Sequence, residues 1–302
     1  MRAVSEAPII RTSEEVRPRA WKRLKELVGY REILMNLIRK EVKVKYTSSI
    51  LGAAWSMLNP LLYLAVFSFV FGVVLDSPMP YFPIYLLSGI LAWNLFAGSL
   101  SLSSRSVVDN ANLVKKVYMP REILPLATVG ASLVDFFIQA LVLIAFMAAL
   151  TYGYVGLNVL LLPLSLFALV VFTSALSLWV GALNVRYRDT QHLLNLGLLT
   201  AFWLTPVIFP SGFIQERLLE KAHWLWILYL ANPMADILYG FQRAIYGVVD
   251  PNGPKQAGYV LANESIGFLA ILIGAVAVGS IVLLYLFWRQ FFKLSGDFAE
   301  EL

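Results

Sequence analysis

Long apolar runs separated by short polar segments dominate this chain. A helix needs about 20 apolar residues to cross the roughly 30 Å hydrocarbon core of a bilayer. Six runs reach or approach that length with no more than one Asp, Glu, Lys or Arg each, and they lie at 53–75, 82–104, 123–150, 157–183, 192–210 and 265–288. The single charge in them is Asp135. The pattern predicts an all-α, polytopic membrane protein with six transmembrane helices.

The region before the first run has a different pattern. Between residues 20 and 49, apolar residues recur at helical spacing and Lys and Arg fill the gaps, which is typical of an amphipathic helix at the membrane interface. A soluble helix packed on a partner is the alternative. The alternation of apolar and basic residues over 42–46 weakens the helical prediction there. Residues 1–19 and 291–302 are expected to be cytoplasmic tails, the first of them loose.

Two shorter apolar segments, 222–235 and 237–249, precede the last run, and Arg243 interrupts the second. Neither is long enough to cross a bilayer. They predict a re-entrant hairpin on the outer side. On the opposite side, residues 105–121 predict a polar helix that ends at Pro120.

The basic residues predict the orientation. Twenty of the 24 Lys and Arg residues lie in 1–49, 105–121, 184–191 and 289–302, and the other four lie between 211 and 264. An excess of Lys and Arg marks cytoplasmic segments, so both termini are expected in the cytoplasm. The net charge of +5 follows from this bias, so it does not indicate a nucleic-acid partner.

The composition narrows the chemistry. The chain is 59% hydrophobic and 14% charged, against about 25% charged in a soluble domain. It has no cysteine, two histidines, no phosphate-binding loop and no nucleophile elbow. We therefore expect no bound cofactor or metal and no enzymatic activity. Because Asp135 is nearly alone among the spans, an ion-driven carrier is not indicated, and the chain needs an outside energy source or is a passive pore.

Three separated stretches resemble ABC-2 type permeases, and among them the exporters of O-antigen, teichoic acid and related cell-wall polysaccharides. The first comprises LIRKEVKVKY (37–46), SILGAAW (49–55) and NPLLY (59–63), and the second is NLVKKVYMPREILP (112–125). The third comprises NVRYRD (184–189), LTPVI (204–208) and NPM (232–234). The similarity covers about residues 30–290, with the transmembrane domain at 50–290.

The resemblance implies a homodimer of six-helix subunits around one channel in the plasma (cell inner) membrane. It also implies two copies of a separate ATP-binding cassette subunit, which would bind ATP and Mg²⁺, and a polysaccharide substrate linked to a polyprenyl diphosphate. Two alternatives are open. One is a small-molecule or drug exporter of the same superfamily, and the other is an intramembrane glycosyl-transfer enzyme.

The resemblance also implies roles for individual residues. The charged residues expected to couple the permease to the ATPase are Arg105, Asp109, Lys115, Lys116 and Arg121. Those near the inner interface that suit a lipid diphosphate are Arg31, Arg39, Lys40 and Arg186. Basic inner loops occur in all membrane proteins, and attraction to anionic lipid explains the same cations.

Four residues are candidates for lining a substrate channel. Tyr63, Phe67 and Phe71 lie at i, i+4 and i+8 and so share one helix face, where rings suit the C–H faces of sugars. The alternative is that these rings face lipid. For Asp135, the alternative is a hydrogen bond to a Ser, a Thr or the backbone of a neighbouring helix.

Overall fold

The computed structural model describes residues 20–47, 52, 54–74, 79–152, 156–247 and 260–302, and every regular element in these ranges is helical. The predicted tail at 1–19 lies outside the described residues. Five helical segments are long and apolar enough to cross a membrane, at Ala54–Val74, Phe82–Asp109, Ile123–Ala149, Leu157–Arg186 and Ile266–Ser295. The all-α, multi-pass prediction is therefore confirmed.

The basic N-terminal region forms two helices, α1 (Ala20–Gly29) and α2 (Arg31–Tyr46). The helix continues through 42–46, where the alternating pattern had weakened the helical prediction. Leu37 on α2 is buried and Ile38 packs on Gly130, because apolar residues at i and i+4 spacing give α2 one face that packs on the helix bearing Gly130.

The first long segment consists of α3 (Ala54–Phe69) and a π-helical turn at Val70–Val74. Pro60 lies inside α3 and cannot donate the backbone hydrogen bond to residue 56. Only Ser56, Pro60 and Leu64 of α3 are buried, so most of this helix presents apolar side chains outward.

The centre of the molecule is α4 (Phe82–Asp109), which is buried along most of its length. It runs five residues beyond the predicted span, so Arg105 and Asp109 belong to its last turns. The chain breaks at Asn110, whose Nδ2 donates to the Ser106 carbonyl at 2.8 Å, and the short helix α5 (Ala111–Lys116) follows. The polar helix predicted for 105–121 is thus divided between two elements.

Three further long helices complete the bundle. They are α6 (Ile123–Ala149), α7 (Leu161–Arg186, preceded by a 3₁₀ turn at Leu157–Leu160) and α12 (Ile266–Ser295). Of these, α6 and α7 pack directly on α4, and α12 packs on α7. Small residues allow close approach in this bundle. A Cβ atom on Gly181 of α7 would lie 3.1 Å from the Ser103 carbonyl oxygen of α4.

The run predicted at 192–210 is helical only over α8 (Thr190–Leu204), which has 15 residues. Three helices follow, namely α9 (Ser211–Lys221), α10 (His223–Leu230) and α11 (Pro233–Ile245). Neighbouring hydrogen bonds hold α11 in place, including Gln242 Nε2 to the Pro206 carbonyl at 2.6 Å and Tyr246 Oη to the Pro80 carbonyl at 2.7 Å. The sequence had indicated two short segments here, and α9 is an addition.

The two ends of the bundle are formed by different elements. At one end the α9–α11 segment packs near the start of α4. At the other end lie α5, α1 and the end of α12, followed by α13 (Phe298–Glu301). The predicted C-terminal tail is therefore partly helical, and its Phe298 is buried against Phe291.

Candidate functional site

A groove of about 790 Å³ lies between α2, α3, α4 and α6. Its charged end is lined by Lys40, Arg105 and Asp109. Its other lining residues include rings and neutral polar groups, namely Trp55, Tyr63, Trp93, Asn94, Ser101, Ser132 and Gln139. We call this feature the groove.

The rings and amides of the groove are fixed by packing. Asn94 Nδ2 of α4 donates to Gln139 Oε1 of α6 at 2.9 Å. Trp93 meets Phe202 of α8 edge to face at 5.4 Å between ring centroids, and Tyr63 lies 6.1 Å from the same ring. Ring faces beside amide and hydroxyl groups suit a ligand that is rich in both C–H surface and hydroxyls.

Asp135 projects from α6 into the groove. Its carboxylate accepts hydrogen bonds from Lys45 Nζ at 2.6 Å and from Tyr46 Oη at 2.5 Å, both on α2. Ser56 Oγ of α3 lies 3.1 Å from the same carboxylate. Such an arrangement offsets the cost of a carboxylate within a membrane span.

The Tyr46 phenol is a stable donor in this cluster. Burial raises its pKa to about 12, and the hydrogen bond to the Asp135 carboxylate acts in the same direction. The phenol therefore keeps its proton at neutral pH and can donate to Asp135.

A second polar contact joins α2 to the break between α4 and α5. Lys40 Nζ donates to Asn110 Oδ1 at 2.6 Å, and Glu41 lies 3.6 Å from the same ammonium. Asn110 is the residue at which the chain turns from α4 into α5. The position of α5 is thus connected to the position of α2.

On the other side of α5 is a second cavity of about 680 Å³, which we call the basic cleft. It is lined by Lys115, Lys116 and Arg121 and by residues from α1 and from the end of α12, including Glu26, Phe292 and Ser295. Tyr118, at its rim, is 94% exposed. Tyr and Arg are enriched at protein interfaces, so the exposed Tyr118 ring in the same cleft as Arg121 suits a protein-binding surface.

The structure divides the residues that the sequence assigned to ATPase coupling. Arg105 and Asp109 line the groove, whereas Lys115, Lys116 and Arg121 line the basic cleft. Both sets lie at the same end of the bundle, on either side of α5.

The channel and diphosphate candidates are also divided. Tyr63 and Asp135 line the groove, while Phe67 stacks on Tyr63 and Phe71 packs on Phe82 and Phe209. Of the four diphosphate candidates, Lys40 lines the groove, and the other three, Arg31, Arg39 and Arg186, are exposed. The Arg186 guanidinium lies 5.8 Å from the Tyr187 ring centroid.

Sequence reasoning did not identify the partners of Asp135. Lys45 and Tyr46 lie about 90 positions away along the chain, so no local pattern connects them with α6. Within the described ranges, no three His, Cys, Asp or Glu side chains are grouped as a metal site would need.

Comparisons with known proteins match most of the chain. Residues 33–246 match the family model described as ABC-2 type transporter. The O-antigen export system permease protein RfbA of Myxococcus xanthus is 33% identical over 225 residues, covering 74% of this chain and 84% of that protein. An RfbA of Klebsiella pneumoniae is 29% identical, with coverages of 83% and 93%. The polysialic acid transport protein KpsM of Escherichia coli is 24% identical, with coverages of 78% and 85%.

Proposed function

The chain belongs to the ABC-2 type transporter family, and from this premise we propose that it is the membrane-spanning permease subunit of an ATP-driven polysaccharide exporter. The observation that carries the proposal is the alignment, over most of the chain, with permeases named for O-antigen export and for polysialic acid transport. What these names share is movement of a saccharide polymer, O-antigen in one case and polysialic acid in the other.

The groove supports a saccharide substrate. Its rings offer flat apolar surfaces, and Asn94, Gln139 and the serines offer neutral hydrogen-bonding groups. A polymer that slides needs many weak contacts and no single strong one. We propose that Tyr63, Phe67, Phe71 and Asp135 lie along its path, with Tyr63 and Asp135 in the groove itself.

We place six crossings in the inner membrane of the cell, with both termini in the cytoplasm. The proposed fifth crossing starts with α8, whose 15 residues extend about 22 Å at 1.5 Å per residue, and continues through the turn to Pro210. The α9–α11 segment then forms the re-entrant hairpin on the outer side. Backbone within a membrane must have its hydrogen-bonding groups covered by protein. Three hydrogen bonds support the proposal: Gln242 Nε2 donates to the Pro206 carbonyl, Tyr246 Oη donates to the Pro80 carbonyl, and the Ala262 amide donates to Ser211 Oγ.

We propose that the permease works as a homodimer. The outward faces of α3 and α8 lie side by side, joined by the contact of Tyr63 with Phe202, and both expose large apolar side chains. A second copy packed against this surface would bring the grooves of the two copies together along one channel.

Energy is proposed to come from two copies of an ATP-binding subunit, which bind ATP and Mg²⁺. The basic cleft, with Lys115, Lys116 and Arg121, is the proposed docking surface, and Arg105 and Asp109 continue it on the groove side. The substrate is proposed to be linked to a polyprenyl diphosphate, whose oxygens suit Lys40, Arg31, Arg39 and Arg186.

Deletion of the gene for this chain tests the proposal. Cells that lack it should accumulate lipid-linked polysaccharide on the cytoplasmic side and lose the polymer at the surface, and the tagged chain should co-purify with an ATPase. The chemical identity of the accumulated polymer then gives the substrate. Unchanged surface polysaccharide, together with export of a small molecule that depends on the chain, would contradict the proposal.

A further inference from the structure

The Asp135 carboxylate accepts hydrogen bonds from both the end of α2 and the start of α3. Among the described residues, three side chains hydrogen-bond to Asp135, and all three come from outside α6. Lys45 and Tyr46 are the last two residues of α2, and Ser56 is in the first turn of α3. Asp135 lies 12 residues into α6, which corresponds to about 18 Å along the helix axis. It therefore fixes two elements at one point deep within the bundle.

The rest of α2 is held by apolar packing and by a polar contact with the α4–α5 break. Ile38 packs so closely on α6 that a Cβ atom added at Gly130 would lie 2.5 Å from Ile38 Cδ1. Lys40 is bonded to Asn110 at the α4–α5 break. The wall that α2 forms is thus attached to α6 at Gly130 and Asp135 and to α5 through Asn110.

The Asp135 contacts are strong but accessible. The Lys45 side chain is 45% exposed and that of Asp135 is 15% exposed, and both line the groove. Water or the hydroxyls of a saccharide in the groove can therefore replace the donors from α2 and α3. Without such replacement, separation would leave an unpaired carboxylate within the bundle, which is costly.

We propose that Asp135 is a positioning residue that latches α2 and α3 onto α6, and that the groove opens along α2 when this latch is released. The contact of Lys40 with Asn110 carries displacement of α5 to α2, so docking and movement of the ATPase at α5 would act on the latch. The inference rests on the proposed exporter function and adds the residues that hold the groove closed.

Thiol labelling tests the latch without any measurement of export. The chain contains no cysteine, so Ser101→Cys places a single reporter in the groove, and its labelling rate by a charged, water-soluble thiosulfonate reports groove opening. Asp135→Asn removes the negative charge that strengthens the hydrogen bonds from Lys45 and Tyr46, so in this background it should raise the labelling rate about tenfold. Tyr46→Phe, which removes one donor and leaves every charge in place, should raise it less.

Matched variants separate a latch from a general loss of structure. Lys45→Met should raise the rate, whereas Lys45→Arg, which keeps a cation, should stay closer to the parent protein. Lys43→Ala serves as control, because Lys43 is also on α2 and exposed but lies outside the groove lining, and its rate should not change. In the parent complex, ATP added with the ATPase should raise labelling, and in Asp135→Asn the rate should be high with or without ATP.

Two outcomes overturn the latch. One is an equal labelling rate in the parent protein, Asp135→Asn and Tyr46→Phe, and the other is an equal increase in Lys43→Ala and Lys45→Met. Either result would leave the exporter proposal intact, since that proposal is judged by the polymer that accumulates when the chain is absent.

Discussion

Asp236 lies on α11 with only 1% of its surface exposed, and its Oδ1 has no hydrogen-bond partner among the described residues. It borders a cavity of about 310 Å³ whose other lining residues are mainly small and apolar residues of α12, together with Phe172 of α7 and Leu230 of α10. Burial raises the pKa of this carboxyl from 3.8 to about 8. At neutral pH the group is therefore mostly protonated and uncharged.

Replacing Asp236 should change how stability depends on pH. A carboxyl with a raised folded-state pKa contributes stability that is full below pH 3.8 and is lost as pH rises through about 8, because the unfolded chain releases the proton first. We expect the Tm of the detergent-solubilised protein to fall more steeply between about pH 5 and about pH 9 than that of Asp236→Asn. Glu216→Gln, an exposed position on α9, should keep the steep slope. Parallel curves for the parent and Asp236→Asn would contradict this account.

At Asp135 the sequence indicated the right residue but left its role open. The expectation that a neighbouring helix would supply a Ser or Thr agrees with the contact to Ser56. Lys45 and Tyr46 could not be predicted as partners, because the packing of α2 along α6 depends on the close approach of Ile38 to Gly130. Sequence periodicity gives the face of a helix, but not the neighbour that covers it.

Packing between helices depends on a few glycines. Gly240 of α11 faces Ser165 of α7 and Ile273 of α12, and a Cβ atom added there would overlap the Ser165 hydroxyl and lie 2.6 Å from Ile273 Cδ1. The buried helix α11 therefore lies against its neighbours with no space for a methyl group.

Gly240→Ala should destabilise the protein by about 1–3 kcal/mol, the usual cost of overpacking a core. Gly274→Ala on α12 is the matched control, since nothing lies within 4 Å of a Cβ atom there, and it should not lower stability. Adding Ser165→Ala to Gly240→Ala should restore part of the loss. Denaturant or thermal unfolding in detergent measures all four proteins, and equal effects at the two glycines would show that the close approach has no energetic consequence.

The basic cleft leads to a prediction for α5. Lys115 and Lys116 are exposed there beside Tyr118, so changing both to Glu should reverse the local charge and weaken association with the ATPase. We expect ATP hydrolysis coupled to transport to fall while membrane insertion stays normal. Arg217→Glu, on the exposed face of α9 at the other end of the bundle, should leave coupling unchanged. Full assembly and transport in the Lys115, Lys116 double variant would remove the docking role.

The sequence predicted the existence of the long helices well, because composition determines it, and predicted their ends less well, because these depend on packing. Five of the six apolar runs correspond to long helices, because a long charge-free stretch has few alternatives to a helix within a membrane. The continuation of α4 to Asp109 was missed, since the charges of Arg105 and Asp109 end the apolar run and the polar helix was predicted as a separate element. In the remaining run, 192–210, the helix ends at Leu204, and hydropathy could not indicate that the Pro206 and Phe209 carbonyls beyond it accept hydrogen bonds from Gln242 and Tyr85.

At the scale of the whole molecule, the segments that are rich in Lys and Arg along the sequence lie at one end of the helix bundle. Lys115, Lys116 and Arg121 lie beside the end of α12 and beside α1, so segments far apart in sequence with the same basic character meet at one end. The α9–α11 segment lies at the other end. This arrangement is what the positive-inside bias requires if the basic end faces the cytoplasm.

The number of crossings can be decided by labelling four single cysteines, because the chain contains none of its own. Lys115→Cys and Arg188→Cys report the basic end, Glu220→Cys reports the α9–α11 segment, and Glu301→Cys reports the C-terminus. If α8 and the following turn cross the membrane, positions 188 and 220 must face opposite sides, and position 301 must return to the side of 188. If only the five long helices cross, positions 188 and 220 face the same side and position 301 faces the other.

We expect an impermeant maleimide added outside intact cells to label position 220 alone. Labelling at 115 or 188 from outside would reverse the orientation, and labelling at 301 with protection at 220 would reduce the crossings to five.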